Sequence, residues 1–305
     1  MFKKSIAVVF ALTMLAACGN SKKSDAPPNS VKFPVTMSTQ HSGQVRIDKE
    51  PTSIISLSPT ATEGLFAVGA GDQVIAVDTL SNYPENAPKS DLDSYNPNAE
   101  AILAKKPDLV IVGYDMNNIV ASLRKAKVPV LIEPAATKMD DVYFQLLELG
   151  IATGHDGDAN GLVNDMKQEV SDIQATLSTA GKKTKAYIEV GSGYYSATSG
   201  TLIGSLLEMA SGTNIADQAP DASSGYPKLS AEYVVKANPQ IVFLTSSKTD
   251  GISADSVAQR PGFSEVTAVK NNDIVVIDDD IAQRWGPRTT TLFKQIVDAI
   301  NAANK

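Results

Sequence analysis

The feature that most constrains the fold is a unit of sequence that occurs twice. The first copy reads NAEAILAKKPDLVIV from Asn98 to Val112, and the second reads SAEYVVKANPQIVFL from Ser230 to Leu244. In each copy an Ala-Glu pair opens a short apolar helical stretch, which stops before a proline and leads into a run typical of a buried strand. A chain that carries this unit twice is expected to form two similar halves.

A second pair of segments supports the duplication. GLFAVGAGDQV, from Gly64 to Val74, is similar to SLLEMASGTNI, from Ser205 to Ile215, and the two pairs recur in the same order. Each half also begins with a short run that favours a strand, SIISL from position 53 and KAYIEV from position 185. In each half we expect a helix closed by a glycine, Gly71 or Gly212. Strands that alternate with helices predict an α/β fold of two lobes with mostly parallel sheets.

One long helix is predicted between the halves. In the segment Asp158 to Gly181, apolar residues recur every three or four positions, as a one-sided apolar face requires. These residues are Leu162, Met166, Val170, Ile173 and Leu177. We expect a rigid linker that ends at Gly181.

The N-terminus has the pattern of an exported, anchored protein. Lys3 and Lys4 precede an apolar run that is too short to span a bilayer, and the run ends in LAAC at Cys18. This pattern resembles a bacterial lipobox, which implies cleavage before Cys18, acylation of Cys18 and stable anchoring by several acyl chains. The alternative is an ordinary secretory signal. The expected organisation is a signal peptide (1–17), a lipidated cysteine with a flexible tether (18–45), an N-terminal lobe (46–157), the linking helix (158–181) and a C-terminal lobe (182–305).

Composition argues against several functions. A formal net charge of −7 disfavours nucleic acid as a partner. The two histidines, His41 and His155, lie near no candidate nucleophile in the sequence, so an enzyme and a bare transition-metal site are both disfavoured. We expect no cofactor.

Together these features resemble the substrate-binding proteins of ABC importers for iron–siderophore, haem and cobalamin. The similarity covers about 44–304, including SIISLSPTATEGLFAVGAGDQVIAV, SNYPENAP, the repeated unit and RWGPR. The segments SLSPTATE and SNYP place the cobalamin-binding branch nearest. The resemblance implies a monomer that docks on an ABC permease dimer with its ATPase subunits, held by its lipid anchor on the outer face of the cell membrane. It also implies that Glu100 and Glu232 dock into arginine pockets of the two permease subunits. The alternative is that both glutamates only favour helix N-termini.

Ligand contacts are expected in loops that follow strand ends, where open α/β sheets bind ligands. Aromatic rings in these loops suit a broad, rigid ligand. By position in the family, Leu80 takes the place of a ligand-contacting tyrosine, and Tyr95 and Tyr114 take the places of tryptophans. The candidate contacts are Leu80, Tyr83, Tyr95, Tyr114, Tyr194, Tyr195, Tyr226, Arg284 and Trp285. For Arg288 we expect a structural role.

The scarcity of basic residues in these loops, essentially Arg284, Lys228 and Lys248, favours a neutral or weakly charged ligand. A corrinoid is the first interpretation. A hydroxamate-type ferric siderophore or haem is the alternative within the family, and a sensor or interaction lipoprotein that transports nothing is the alternative outside it.

Overall fold

The computed structural model describes residues 28, 29, 31–177 and 183–305. Before the linking helix, strands and helices alternate along most of the chain. They are β1 (Val35–Thr39), β2 (Gly43–Ile47), β3 (Ile54–Leu57), α1 (Pro59–Ala67), β4 (Val74–Asp78), β5 (Lys89–Leu92), α2 (Ala99–Ala104), β6 (Leu109–Val112), α3 (Ile119–Lys125), β7 (Val130–Ile132) and α4 (Met139–Thr153).

The linking helix α5 (Asp156–Ala175) packs against α4. The second half repeats the alternation. Its elements are β8 (Thr184–Gly191), β9 (Tyr195–Ser196), α6 (Leu202–Met209), β10 (Gly212–Asn214), α7 (Ala231–Ala237), β11 (Ile241–Leu244), α8 (Ser247–Asp250), α9 (Ala254–Ala258), α10 (Thr267–Lys270), β12 (Ile274–Val276), α11 (Asp279–Ala282) and α12 (Thr289–Ala303).

The two sheets have related topologies. The first has the order β5-β4-β3-β6-β7, with every pair parallel. The second has the order β10-β8-β11-β12, also parallel, and the short β9 pairs antiparallel with β8. In both, the strand that comes first in the chain, β3 or β8, lies inside the sheet, and the chain order reverses beside it. The α/β fold of two similar lobes is therefore confirmed.

The repeated unit has the same local structure in both lobes. The side chains of Asn98 and Ser230 cap α2 and α7 by accepting a backbone N–H from the third residue of the helix. Lys106 and Asn238, each directly before a proline, both adopt left-handed backbone, with φ of 53° and 50°. The helix starts and the strands β6 and β11 thus lie where the sequence predicted them.

The predicted helix ends at Gly71 and Gly212 are wrong. α1 ends at Ala67 and α6 at Met209, and neither Gly71 nor Gly212 has positive φ. The structure gives both glycines another role. A Cβ on Gly71 would lie 2.7 Å from the Phe66 ring, and one on Gly212 would lie 2.2 Å from Leu207 Cδ1. The repeated glycine allows close packing against the preceding helix.

The chain is ordered earlier than the predicted tether end at position 45. β1 and β2 form an antiparallel hairpin whose Met37, Val45 and Ile47 are buried in the core. The turn is bound to the first lobe because the hydroxyl of Ser42 accepts the Ile132 N–H at 2.7 Å. The first lobe therefore includes this hairpin.

The linking helix is shorter than predicted. It ends at Ala175, capped by Thr176, and the predicted end at Gly181 lies outside the described residues. Met166, Val170 and Ile173 are buried as the periodicity predicted. Besides α4, the helix packs against α12 of the second lobe, so it contacts both lobes.

The predicted signal peptide and Cys18 also lie outside the described residues. Within the part of the chain that is described, no helix combines the length and apolar character that a membrane span requires.

Candidate ligand-binding site

A cavity of about 710 Å³ lies between the lobes. It forms where the loops after β3 and β6, the two strands at the order reversal of the first sheet, lie side by side. Ser58 begins α1 there, its hydroxyl accepting the Ala61 N–H at 3.3 Å, and Gly113 follows β6. The side chains and backbone that line the cavity are those of Leu57, Ser58, Pro59, Thr60, Thr79, Leu80, Asn82, Ser94, Tyr95, Gly113, Tyr114, Met116, Thr249, Asp280, Gln283, Arg284 and Trp285.

Five of the nine predicted ligand contacts line this cavity: Leu80, Tyr95, Tyr114, Arg284 and Trp285. The first three are exposed apolar side chains, and Tyr95 is 68% exposed. The Tyr95 loop is held by Asp93, whose carboxylate accepts the Tyr95 N–H at 2.8 Å. These side chains offer apolar surface to a ligand.

Three further predicted contacts, Tyr226, Tyr83 and Tyr195, lie outside the lining of the main cavity. Tyr226 lines a side chamber of about 300 Å³ that shares Arg284 and Trp285 with the main cavity. The ring of Tyr83 is covered by the Arg288 guanidinium at 4.5 Å, and that of Tyr195 by the Lys228 ammonium at 5.4 Å.

Tyr194 is placed in the second lobe rather than at the cavity. Its backbone is left-handed, with φ of 70°, and its ring packs 6.1 Å from that of Phe263. The guanidinium of Arg260 lies 4.8 Å from the Tyr194 ring and forms two hydrogen bonds of 2.7 Å to the buried carboxylate of Glu189. This arrangement gives Tyr194 a packing role that its position in a polar loop did not indicate.

A buried ion cluster joins the lobes beside the cavity. Glu63 on α1 is 3% exposed and accepts from Arg288 at 2.6 and 2.8 Å and from Arg284 at 3.1 Å. The predicted structural role of Arg288 fits this contact, and the Glu63 carboxylate raises the pKa of Arg288. Sequence analysis missed Glu63, which no local pattern marks.

Arg284 has its donors engaged within the protein. Besides Glu63, it donates to the Asn82 side chain at 2.6 Å and to the Leu80 carbonyl at 3.2 Å, and its guanidinium lies 2.8 Å from Asp280. Asn82 in turn donates to Asp280 at 3.0 Å. Arg284 therefore organises both walls of the cleft and brings little free positive charge to it.

The other two basic residues considered for the cleft are also engaged. The ammonium of Lys248 donates to Asp278, and this hydrogen bond raises the pKa of Lys248. Neither Lys248 nor Lys228 is part of the cavity lining. Thr249, which the sequence did not single out, does line it, and its hydroxyl donates to the Asp279 carboxylate at 2.8 Å.

Glu100 and Glu232 occupy the same position in the two lobes, the second residue of α2 and of α7. Both are exposed, and neither forms an ion pair within the described residues. A helix that connects two parallel strands runs antiparallel to them. The N-termini of α2 and α7, and with them both glutamates, therefore lie at the carboxyl ends of the strands, where the cleft opens. Across the described ranges, no three His, Cys, Asp or Glu side chains are grouped to hold a metal ion.

Comparison with known proteins adds three similarities and a family match. A family model described as periplasmic binding protein matches residues 54–281. The chain is 33% identical to an uncharacterized ABC transporter substrate-binding lipoprotein of Bacillus subtilis over 307 residues, covering 96% of this chain and 95% of that protein. It is 27% identical to a cobalamin-binding protein of Halobacterium salinarum over 314 residues, covering 98% of this chain and 84% of that protein. A solved structure from Staphylococcus epidermidis, described as a possible iron-binding, periplasmic solute-binding protein, matches with a TM-score of 0.73 and 30% identity, covering 83% of this chain and 99% of that one.

Proposed function

Because the chain belongs to the periplasmic binding protein family, we propose that it captures a corrinoid of the cobalamin type between its lobes and delivers it to an ABC permease. The class, a substrate-binding protein of an ABC importer, follows from the family and from the lipoprotein relative of Bacillus subtilis. The ligand is the proposal. It is supported by the relative from Halobacterium salinarum, whose name states cobalamin binding.

The observation that carries this proposal is the charge balance of the cavity. Among the residues that line it, the only charged ones are Asp280 and Arg284, and these two are paired with each other. The rest of the lining is apolar or neutral, with Tyr95 and Tyr114 as exposed rings. A strongly anionic catecholate complex would leave its charge without cationic partners, whereas a corrinoid presents a broad, weakly charged face. The cleft thus suits the corrinoid.

A ferric hydroxamate siderophore or haem is the second candidate. The similarity to the possible iron-binding protein of Staphylococcus epidermidis favours it. Haem would need an axial ligand. No histidine is among the described residues that line the cavity, so Tyr95 or Tyr114 would have to supply it.

We place the protein on the outer face of the membrane, anchored through acylated Cys18. In this arrangement Glu100 and Glu232, one on each lobe, meet the two subunits of the permease. The two glutamates occupy equivalent positions in the two lobes, at the strand ends where the cleft opens. This equivalence supports one permease contact per lobe.

A ligand panel tests the proposal. The soluble body, beginning at residue 31, is heated with cyanocobalamin, cobinamide, haem or a ferric hydroxamate siderophore. A ligand at 100 times its dissociation constant adds about 2.7 kcal/mol to the free energy of unfolding, which is a clear rise in Tm. Stabilisation by the two corrinoids alone is expected. Stabilisation by haem or the siderophore alone would replace the corrinoid with the second candidate.

A further inference from the structure

The carboxyl group of Glu133 is buried at the edge of the ligand cleft. Glu133 follows β7, and its backbone N–H donates to the Val112 carbonyl at 2.9 Å, which places the residue on the cleft side of the first sheet. The residue is 1% exposed, and neither carboxyl oxygen has a hydrogen-bond partner among the described residues. A buried polar group without a hydrogen-bond partner lowers the stability of the fold by about 1–3 kcal/mol. Its retention here points to a functional role.

The indole N–H of Trp285 is the matching donor. Its Nε1 is also buried and without a partner among the described residues. Glu133 and Trp285 line one small cavity of about 10 Å³, enclosed by α1, α4 and the loop before α12. Gln145, also in its lining, directs its amide N–H to the Pro134 carbonyl at 2.8 Å. A cavity of roughly 10–15 Å³ holds one water molecule.

The ring of Trp285 stands at a junction of the binding site. It lines the main cavity, the side chamber and the small cavity that contains Glu133. Trp285 belongs to the second lobe, but in the small cavity it faces α1 and α4 of the first lobe. The orientation of the ring therefore decides how the main cavity and the side chamber are divided.

We infer that Glu133 is a positioning residue for ligand binding: one water molecule in the shared cavity accepts the indole N–H of Trp285 and donates to the Glu133 carboxyl group, which holds the ring at the junction of the cleft and its side chamber. The inference rests on the proposed function only in taking this cleft as the ligand site. The identity of the ligand does not enter it.

The charge of Glu133 provides a specific signal. Burial and the nearby Glu148 carboxylate raise the pKa of Glu133 well above its usual range, and burial raises the pKa of Glu148 to about 7. Of the charged groups on the elements around the small cavity, α4 carries Glu148 and, in its first turn, Asp140 and Asp141, and Glu63 on α1 is paired with Arg284 and Arg288. Glu133 is therefore neutral at low pH and becomes charged as the pH rises. Excitation moves electron density away from the indole nitrogen, so a negative charge beside it moves the emission to longer wavelength.

Trp285 is the only tryptophan in the chain, so the tryptophan emission of the protein comes from this one ring. The emission maximum of the ligand-free protein is followed upward from about pH 5, because burial and Glu148 raise the pKa of Glu133 above the usual carboxyl range. The wild type is expected to show a titrating shift. Glu133→Gln keeps an acceptor but cannot ionise, so its emission should be independent of pH. Glu148→Gln, the matched control, should retain the shift with its midpoint at lower pH, because a repelling charge is removed.

Affinity for cyanocobalamin gives the second readout. Glu133→Gln should bind within about threefold of the wild type, whereas Glu133→Leu leaves the indole N–H without an acceptor and should bind about tenfold more weakly. A pH-dependent shift that persists unchanged in Glu133→Gln would overturn the inference, as would wild-type affinity in a folded Glu133→Leu variant. Should Glu133→Leu fail to fold, the emission of Glu133→Gln alone decides. If the wild type does not bind cyanocobalamin, the proposed ligand fails, while the emission titration still tests Glu133.

Discussion

At the scale of single residues, the contact between the lobes depends on Glu63. Its carboxylate is buried and forms ion pairs with Arg284 and Arg288 of the other lobe. Glu63→Gln removes the counter-charge of Arg288 and one of the two carboxylates paired with Arg284, so we expect the free energy of unfolding to fall by about 3–5 kcal/mol. Urea denaturation measures this loss.

The control for Glu63 is an exposed ion pair of the same type. Lys294 and Asp298 lie one helical turn apart on α12, 2.6 Å from each other and with both side chains 59% exposed. Asp298→Ala should cost no more than about 0.5 kcal/mol. Equal losses in the two variants would mean that the Glu63 cluster adds nothing to stability.

The second residue-scale prediction concerns docking. Exposed carboxylates contribute little on their own, but a carboxylate buried in an arginine pocket leaves an unpaired charge when it is removed. The double variant Glu100→Ala, Glu232→Ala should therefore keep its ligand affinity, measured by calorimetry, and lose both ligand uptake and stimulation of the importer's ATPase.

Asp255 provides the matched control for docking. It is exposed and, like the two glutamates, is the second residue of a capped helix, α9. Asp255→Ala removes the same kind of charge from the same kind of position, and transport should continue. Normal ligand uptake by the double variant would contradict the docking role. It would favour the alternative that Glu100 and Glu232 only stabilise helix N-termini.

At the scale of secondary-structure elements, the repeated glycines control how closely each helix approaches the next segment. Gly212→Ala would bring a Cβ to 2.2 Å from Leu207 Cδ1 and 3.0 Å from the Leu207 carbonyl, and Leu207 is fully buried. We expect a loss of about 1–3 kcal/mol in the free energy of unfolding, typical of overpacking. Gly71→Ala should cost less, because Phe66 is only partly buried and its ring can move.

Gly200→Ala is the control for these glycines, since its nearest neighbour would be Thr198 Oγ1 at the ordinary distance of 3.5 Å. Thermal unfolding of the three variants gives the comparison. A Tm for Gly212→Ala equal to that of Gly200→Ala would contradict the packing role.

The same elements explain what the sequence could predict. The caps at Asn98 and Ser230 and the strands β6 and β11 were predicted because their signals are local: a polar residue before a helix, a proline after it and an apolar run. The sequence predicts tether up to position 45, over most of the hairpin, because only three of the hairpin's residues are buried apolar side chains, too few to form a strong alternation.

The site was predicted in part for the same reason. Leu80, Tyr95 and Tyr114 lie in loops that follow strands. Open α/β sheets bind ligands at such loops, so these three residues are predictable from the sequence. The Glu63 cluster joins residues 221 and 225 positions apart, and the cavity shared by Glu133 and Trp285 also joins distant segments. Contacts of this kind depend on how the lobes pack and leave no periodic trace in the chain.

At the scale of the whole molecule, α5 should limit the motion of the lobes. Its face of Val163, Met166, Val170 and Ile173 is buried, and the helix packs against α4 of the first lobe and α12 of the second. We expect the radius of gyration from small-angle scattering to be the same, within error, with and without saturating ligand. A large closure on ligand binding would contradict the rigid linker.

The central claim, that the cleft binds a corrinoid, is tested most directly by the emission of Trp285. The corrin ring absorbs where tryptophan emits, so a corrinoid in the cavity that Trp285 lines must quench it by energy transfer. Titration with cyanocobalamin, corrected for absorption with free N-acetyltryptophanamide, is expected to give saturable quenching at one ligand per chain. Excess cobinamide should displace the ligand, and a ferric hydroxamate should not. Emission that stays constant after correction, or saturable quenching by the ferric hydroxamate instead, would contradict the claim.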